Sequence, residues 1–294
     1  MINVKEIKSV KLVPFTKMSA SIYGVLGFIV GLLMLISLTI MQAFMPQFGH
    51  FNVVTGLGVP LIILLPIGAF FSTIVFSFFS VMLYNALVPR LGGIKLELDG
   101  KIVEKIPVIS FALILSVIGA VWAFIAGLVM AALVSPIFSL LGTIGTLPEA
   151  AEIATNITNA TGAAMPTGVE LGAASIVVSL ALIIGLPIMV FVFGFIWNAL
   201  FAVFYNYLIT RVTKIQLEFN QISENLHELK HIPVLPTALA VALACSLLGL
   251  LGIFFGNYAD FITNFVQYFI ETALIALLYN YLAPKIGSIK LNLE

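Results

Sequence analysis

The chain has 294 residues, of which 61% are hydrophobic and 9% are charged, and its 13 basic and 13 acidic residues give a net charge of zero. Soluble domains carry roughly 25% charged residues, so this chain has too few polar side chains to cover a water-facing surface. The composition excludes a soluble enzyme, a nucleic-acid-binding protein and a disordered chain. It predicts an all-α polytopic membrane protein.

Long uncharged stretches predict six transmembrane helices. Residues 18–89 lack Asp, Glu, Lys and Arg but are flanked by basic residues, so this stretch is expected to cross the bilayer twice. The apolar run after Lys17 is too long for a signal-peptide core and is expected to stay as the first helix. A polar loop is expected at 135–170 and a tight turn at 256–260. The six predicted helices are Ser19–Phe44, Leu61–Leu87, Val108–Val134, Ala174–Ile209 (with a bend at Pro187 as one option), Thr237–Phe255 and Phe261–Ala283.

The charges predict the orientation of these helices. All 13 Lys and Arg residues fall before the first helix or after an even-numbered helix, and therefore on one side of the membrane. Basic residues collect on the cytoplasmic side, so both termini are expected in the cytoplasm. The charged residues in the loops on the opposite side are all acidic: Glu149, Glu152, Glu170 and Asp260.

Three segments align without a gap at the ends of the even-numbered helices. They share a Tyr-Asn pair, which predicts three tandem copies of a two-helix unit in a single membrane domain, at about 1–99, 100–220 and 221–294. Parallel repeats imply a pseudo-threefold axis along the membrane normal. We interpret the pairs as structural, with Tyr at the interface and Asn capping backbone groups: Tyr84 and Asn85, Tyr205 and Asn206, Tyr279 and Asn280.

A short strand is predicted after each even-numbered helix. Ile94, Leu96 and Leu98 alternate with charged residues, which is typical of a half-buried strand. Asp99-Gly100 predicts a hairpin to the strand that leads into the third helix. The strand at the C-terminal end is expected to pair with residues 7–13. We therefore predict three similar strand pairs on the cytoplasmic side, each leading strand ending in an apolar-Pro step: Val13-Pro14, Ile106-Pro107 and Ile232-Pro233.

The odd-numbered helices carry small residues four positions apart. Such faces allow helix backbones to approach closely in lipid. We expect them to pack around the central axis, with gated opening at glycine hinges as the alternative. The residues are Gly27 and Gly31, Gly119, Ala123 and Gly127, and Gly252 and Gly256.

The two-helix unit resembles a small bacterial transmembrane family of unknown function. The resemblance is carried by Tyr84-Asn85 and by Gly92-Gly93-Ile94 in the first copy. The second copy has Val212-Thr213-Lys214 and lacks both glycines, and the third keeps Gly287-Ser288. The resemblance implies a fold of two-helix units and a location in the plasma membrane of a prokaryote, but it implies no activity.

Glu271 is the one acid inside a predicted span. It lies nine residues before Asn280, which is about 13 Å along a helix, and hence near the middle of the membrane. A charge at that depth costs a few kcal/mol unless it is paired or protonated. The next position in the three copies is polar, which predicts either interhelical hydrogen bonds or a binding belt for an ion, a proton or a small polar ligand: Ser77, Asn198 and Thr272, with Glu271 beside them.

Residues 227–231 read His-Glu-Leu-Lys-His and match the zinc-protease pattern H-E-x-x-H. The copies hold strand-like sequence at this position, Pro233 follows closely, and no third ligand presents itself by spacing. We therefore favour a solvated connector and assign no metal or other cofactor.

Three functions from different classes remain open. The first is a non-enzymatic accessory subunit or scaffold of a membrane complex, with the lipid bilayer, other membrane subunits or a second copy as partners and no nucleic acid. The alternative is a small channel or transporter that uses Glu271 and the polar belt. The third is a membrane metalloprotease that uses His227, Glu228 and His231.

Overall fold

The computed structural model describes residues 3–44, 56, 58–145, 168–250 and 260–294. The chain divides into two compact units, the first made of residues 1–114 with 199–294 and the second of residues 115–198. The first unit contains all the described strands, whereas the described part of the second unit is helical. Most of the loop predicted at 135–170 and of the turn at 256–260 lies outside the described residues.

Five of the described helices are long and apolar enough to cross a membrane. The helices are α1 (Leu12–Phe44), α2 (Val59–Leu91), α3 (Val108–Gly145), α4 (Gly168–Leu180), α5 (Leu186–Tyr207), α6 (Val234–Gly249) and α7 (Asp260–Ile286). The spans run through α1, α2, α3, α4 with α5, and α7, whereas α6 has 16 described residues. The protein is therefore helical and membrane-type in composition. Part of the predicted fifth helix, Thr237–Phe255, lies outside the described residues.

Several helix ends differ from the prediction. Helix α1 begins seven residues before Ser19, with Pro14 in its first turn, a position that tolerates proline because the first N–H groups have no partner in the helix. Helix α3 continues through Pro136 to Gly145, into the predicted loop.

A π-helical segment, Ala181–Gly185, separates α4 from α5 just before Pro187. Its last bond runs from the Leu186 N–H to the Ala181 carbonyl. Proline has no N–H to give to the carbonyl four residues earlier, and π segments are a usual response to such a break. The irregularity falls where the sequence indicated a bend.

Six strands form one antiparallel sheet in the order β3-β2-β1-β6-β5-β4. The strands are β1 (Asn3–Val10), β2 (Ile94–Asp99), β3 (Ile102–Lys105), β4 (Glu218–Gln221), β5 (Leu226–His231) and β6 (Lys290–Leu293). The three predicted pairs are present as β2 with β3, β4 with β5, and β6 with β1. Gly100, at φ +61°, makes the β2–β3 turn.

The sheet closes into a ring, which the sequence did not predict. The Val103 N–H donates to the Ile215 carbonyl at 2.9 Å, and the Leu217 N–H donates to the Lys101 carbonyl at 2.7 Å. These bonds, with a bridge between Ile102 and Gln216, join the β3 end of the sheet to the segment just before β4. Closure removes the unpaired N–H and C=O groups that an open sheet leaves at its edges. The all-α prediction is therefore incomplete, because the three strand pairs form one structure.

Glycines on α1 allow it to approach α2 closely. A Cβ atom on Gly27 would lie 2.8 Å from the Leu65 carbonyl oxygen, and one on Gly31 would lie 3.1 Å from the Ile62 Cα. The expectation was packing around a central axis, whereas these two glycines face the neighbouring helix of their own hairpin. In the second unit, Gly127 lies against the Leu182 carbonyl.

Glu6 on β1 connects the ring to the end of α2. Its carboxylate accepts the Gly93 N–H at 2.7 Å and lies 3.3 Å from the Lys8 ammonium and 3.9 Å from that of Lys95. The Gly93 hydrogen bond, aided by the two lysines and opposed by partial burial, holds the pKa of Glu6 below its usual value of 4.5. Since the folded-state pKa is depressed, ionised Glu6 adds stability above the ordinary pKa. That contribution is lost as the pH falls through the folded-state value.

We expect Glu6→Gln to lower the midpoint of thermal unfolding at neutral pH, and the difference from the wild type to shrink below about pH 4. The measurement is thermal unfolding in detergent over this pH range. Glu97→Gln is the matched control, because it removes a half-buried ring carboxylate whose nitrogen–oxygen distance to Lys105 is 3.7 Å. A Glu6→Gln deficit that stayed constant with pH would contradict the assignment.

Candidate functional site

The three Tyr-Asn pairs identified in the sequence lie near the ends of α2, α5 and α7, where the helices meet the ring. We call each pair, with its backbone partners, a Tyr–Asn clamp. Every tyrosine hydroxyl donates to a backbone carbonyl of a strand that leads into a helix: β1 before α1, β3 before α3 and β5 before α6. The donations run from Tyr84 to Ile7 (2.7 Å), from Tyr205 to Val103 (2.5 Å) and from Tyr279 to Leu229.

Each hydroxyl also accepts a backbone N–H from the segment that follows its own helix. The Ile215 N–H donates to the Tyr205 hydroxyl at 3.0 Å, and the Ile289 N–H donates to the Tyr279 hydroxyl at 3.2 Å. The backbone of Ile94 forms the corresponding hydrogen bond with Tyr84. One side chain thereby bridges two segments of the ring. Tyr205 and Tyr279 are fully buried, so water does not substitute for these bonds.

The asparagines bind the backbone at the end of each leading strand, at the last residue of β1 and at the residues that directly follow β3 and β5. The Oδ1 atom accepts the N–H and the Nδ2 group donates to the carbonyl of the same residue, as a neighbouring strand would do. The partners are Val10 for Asn85 (2.8 and 2.9 Å), Ile106 for Asn206 (2.9 and 2.7 Å) and Ile232 for Asn280 (2.9 and 2.7 Å).

The clamps correct the alignment of the first leading strand. The sequence matched Val13-Pro14 with Ile106-Pro107 and Ile232-Pro233, whereas the structure gives Val10 the bonds that Ile106 and Ile232 receive. The match was wrong by three residues, because Pro14 belongs to the first turn of α1 and does not mark the strand end.

The H-E-x-x-H residues lie on strand β5, as their surroundings in the sequence indicated. Four residues along a strand span about 13 Å, so His227 and His231 are too far apart to bind one zinc ion as they would on a helix. His227 is buried, its Nε2 lies 2.9 Å from the Lys5 ammonium and its Nδ1 lies 3.3 Å from the Asn225 carbonyl oxygen. The His-Glu-Leu-Lys-His segment is therefore part of the sheet, and its geometry does not support the protease hypothesis.

Glu271 lines a cavity of about 690 Å³ between α1, α2 and α7. Its walls are mostly aliphatic, and the polar side chains among the lining residues are those of Tyr23, Gln267 and Glu271. Gln267, Glu271 and Leu274 follow the spacing of one helical face, so α7 presents amide and carboxylate together. The lining residues are Tyr23, Leu26, Gly27, Ile29, Val30 and Leu33 of α1, Leu64, Leu65, Gly68 and Ala69 of α2, and Gln267, Ile270, Glu271 and Leu274 of α7.

Ser77 and Asn198 of the predicted polar belt hydrogen-bond within their own helices. The Ser77 hydroxyl is buried and donates to the Thr73 carbonyl at 2.5 Å, and the Asn198 amide donates to the Gly194 carbonyl at 2.8 Å. Thr272 follows Glu271 in the chain but is not among the cavity-lining residues. Within the first unit, the structure brings Glu271 together with Gln267 and Tyr23 rather than with Ser77.

Sequence reasoning found Glu271 but missed the cavity and its other polar residues, Gln267 and Tyr23. Gln267 lies four residues before Glu271, which is the helical spacing of facing side chains, and this was the available signal. The contribution of Gly68 to the cavity was also missed: this glycine lines the cavity, and a Cβ atom added there would meet no atom within 4 Å. The cavity depends on three helices that are distant in the sequence, so periodicity within one helix does not reveal it.

No protein-family model matches this chain, and neither a curated protein nor a solved structure is significantly similar to it.

We expect Tyr205→Phe to destabilise the protein by about 1–3 kcal/mol, because it leaves the buried Val103 carbonyl and Ile215 N–H without their shared partner. Thermal unfolding of the purified protein measures the effect. Tyr207→Phe is the control, since Tyr207 lies two residues away and is 62% exposed. Equal stabilities of the two variants would show that the clamp hydroxyl adds nothing.

Proposed function

We propose that this chain is a non-enzymatic integral membrane protein that serves as an accessory subunit or scaffold of a membrane complex. Its six membrane crossings form three two-helix units around a pseudo-threefold axis. Both termini and the β ring lie on the cytoplasmic side of a prokaryotic plasma membrane. This arrangement agrees with the resemblance to the small two-helix family.

The observation that carries the proposal is the set of three Tyr–Asn clamps on one closed ring. Each clamp makes the same four kinds of backbone bond with different strands. Three clamps with the same bonds are expected from tandem copies of one unit, and they fix the helix ends to the ring. A rigid base with helices that expose large apolar side chains, such as Phe71 at 62% and Phe193 at 60%, suits lateral packing in lipid.

A scaffold predicts a defined partner. After cross-linking in native membranes and purification in mild detergent, we expect one membrane protein, or a second copy of this chain, at a fixed molar ratio by quantitative mass spectrometry. An unrelated multi-pass protein carrying the same tag is the control. Recovery of the chain alone, or of many proteins at variable ratios, would contradict a scaffold role.

A second candidate function is transport, and the Glu271 cavity is the observation that favours it. Intramembrane carboxylates mark ion and proton pathways in many membrane proteins. Here the carboxylate lines a cavity rather than packing in a helix interface.

In proteoliposomes with a trapped pH-sensitive dye, transport predicts that the wild type dissipates an imposed pH gradient faster than empty vesicles. Glu271→Gln is expected to abolish the difference, because it removes the ionisable group and keeps the side-chain volume. Glu224→Gln, which removes an exposed carboxylate outside the helices, is expected to leave flux unchanged. Unaltered flux in Glu271→Gln would end this candidate.

A further inference from the structure

We propose that the cavity between α1, α2 and α7 binds a lipophilic amine, with its ammonium group on the Glu271 carboxylate and its hydrocarbon body along the aliphatic walls. This proposal rests on the second candidate function and specifies its ligand, since transport and amine binding both require Glu271 to face a ligand. Binding does not itself require transport, so the two can be separated by experiment.

The charge of the cavity selects a single organic cation. Among the lining residues that the structure describes, Glu271 is the one acid and none is basic. A carboxylate in an apolar setting is favoured when an opposite charge is close. Metal cations need more oxygen ligands than this wall offers, because Ca²⁺ takes about six to eight and Mg²⁺ an octahedral set. One carboxylate is sufficient for one ammonium group.

The polar groups on α7 match the donors of a primary ammonium. Such a group carries several N–H donors and no acceptor. Glu271 offers two carboxylate oxygens, and Gln267, one turn earlier on the same face, adds an amide oxygen. Tyr23 on α1 lies close enough to interact electrostatically with Glu271, and its hydroxyl oxygen is a further acceptor on the opposite wall.

The size and the opening of the cavity suit a molecule that arrives through the bilayer. Its volume of about 690 Å³ lies within the range of roughly 300–1,000 Å³ that is usual for small-molecule sites. Leu64 and Leu33 in its wall are 63% and 57% exposed, so the cavity opens at the apolar side of the helices. A ligand dissolved in the membrane would reach it without crossing water.

Charge, and not apolar area, must provide the selectivity. Lipid tails are as apolar as leucine, so burial of a hydrocarbon chain in the cavity gains little over the bilayer. The ion pair gains much more, since the surroundings are poorly screened. A neutral alcohol with the same chain is therefore expected to bind no better than lipid does.

The test uses the full-length protein in lipid nanodiscs and a photoreactive, diazirine-bearing dodecylamine as the probe. We expect cross-links that map by mass spectrometry to α1, α2 and α7 peptides, and competition by dodecylamine but not by dodecanol. Glu271→Gln is expected to reduce labelling at least about tenfold, which corresponds to a loss of about 1.4 kcal/mol of binding free energy. Thermal unfolding and gel filtration show whether each variant is folded.

Gly68 supplies a matched pair of variants that does not alter the acid. Gly68→Phe is expected to fill the cavity and to block labelling, whereas Gly68→Ala adds one methyl group in open space and is expected to retain it. Labelling that is equal in the wild type, Gly68→Phe and Glu271→Gln would overturn the proposal, as would equal competition by dodecanol. Specific labelling without any flux would uphold the amine site and end the transport candidate.

Discussion

The structure depends on how backbone polar groups are satisfied where the apolar helices meet the β ring. A helix end and a strand end both leave N–H and C=O groups without partners, and water does not satisfy them at joints that are buried, as those at Tyr205 and Tyr279 are. The Tyr–Asn clamps solve this at three places with one pair of side chains. Tyr205 and Asn206 together bind backbone groups of Val103, Ile106 and Ile215, so the helix, the strand before it and the strand after it share one joint.

The end of each clamped helix is adapted to the residues present. Gly92 and Gly287, at φ +80° and +96°, follow α2 and α7 and allow an abrupt turn into the next strand. The corresponding position after α5 is Thr213, and there the chain makes a 3₁₀ turn at Ile209–Arg211 instead. The clamp bonds are kept in all three cases, which indicates that the joint, and not the turn, is what the helix ends have in common.

Glu271 has a different relation to the fold. None of the described clamp or ring bonds involves it, and it lines a cavity between α1, α2 and α7. Gly68 and the bulk of the surrounding leucines leave this space open on the α2 side. Acidic residues in a membrane span are costly and are commonly functional, which is the ground for proposing that this cavity binds a ligand.

The sequence by itself determined the membrane class, most helix positions and the three strand pairs, because uncharged runs and period-two alternation are local signals. It also located the Tyr–Asn pairs and Glu271, since their residue types stand out against an apolar background. Only the tertiary structure decided that the strand pairs close into a ring, that Val10 and not Val13 ends the first strand, and that Glu271 faces a cavity with Gln267 and Tyr23. Ring closure and the cavity depend on residues far apart in the chain, such as the hydrogen-bonded Val103 and Ile215 and the cavity-lining Tyr23 and Glu271. No local sequence pattern encodes such pairings.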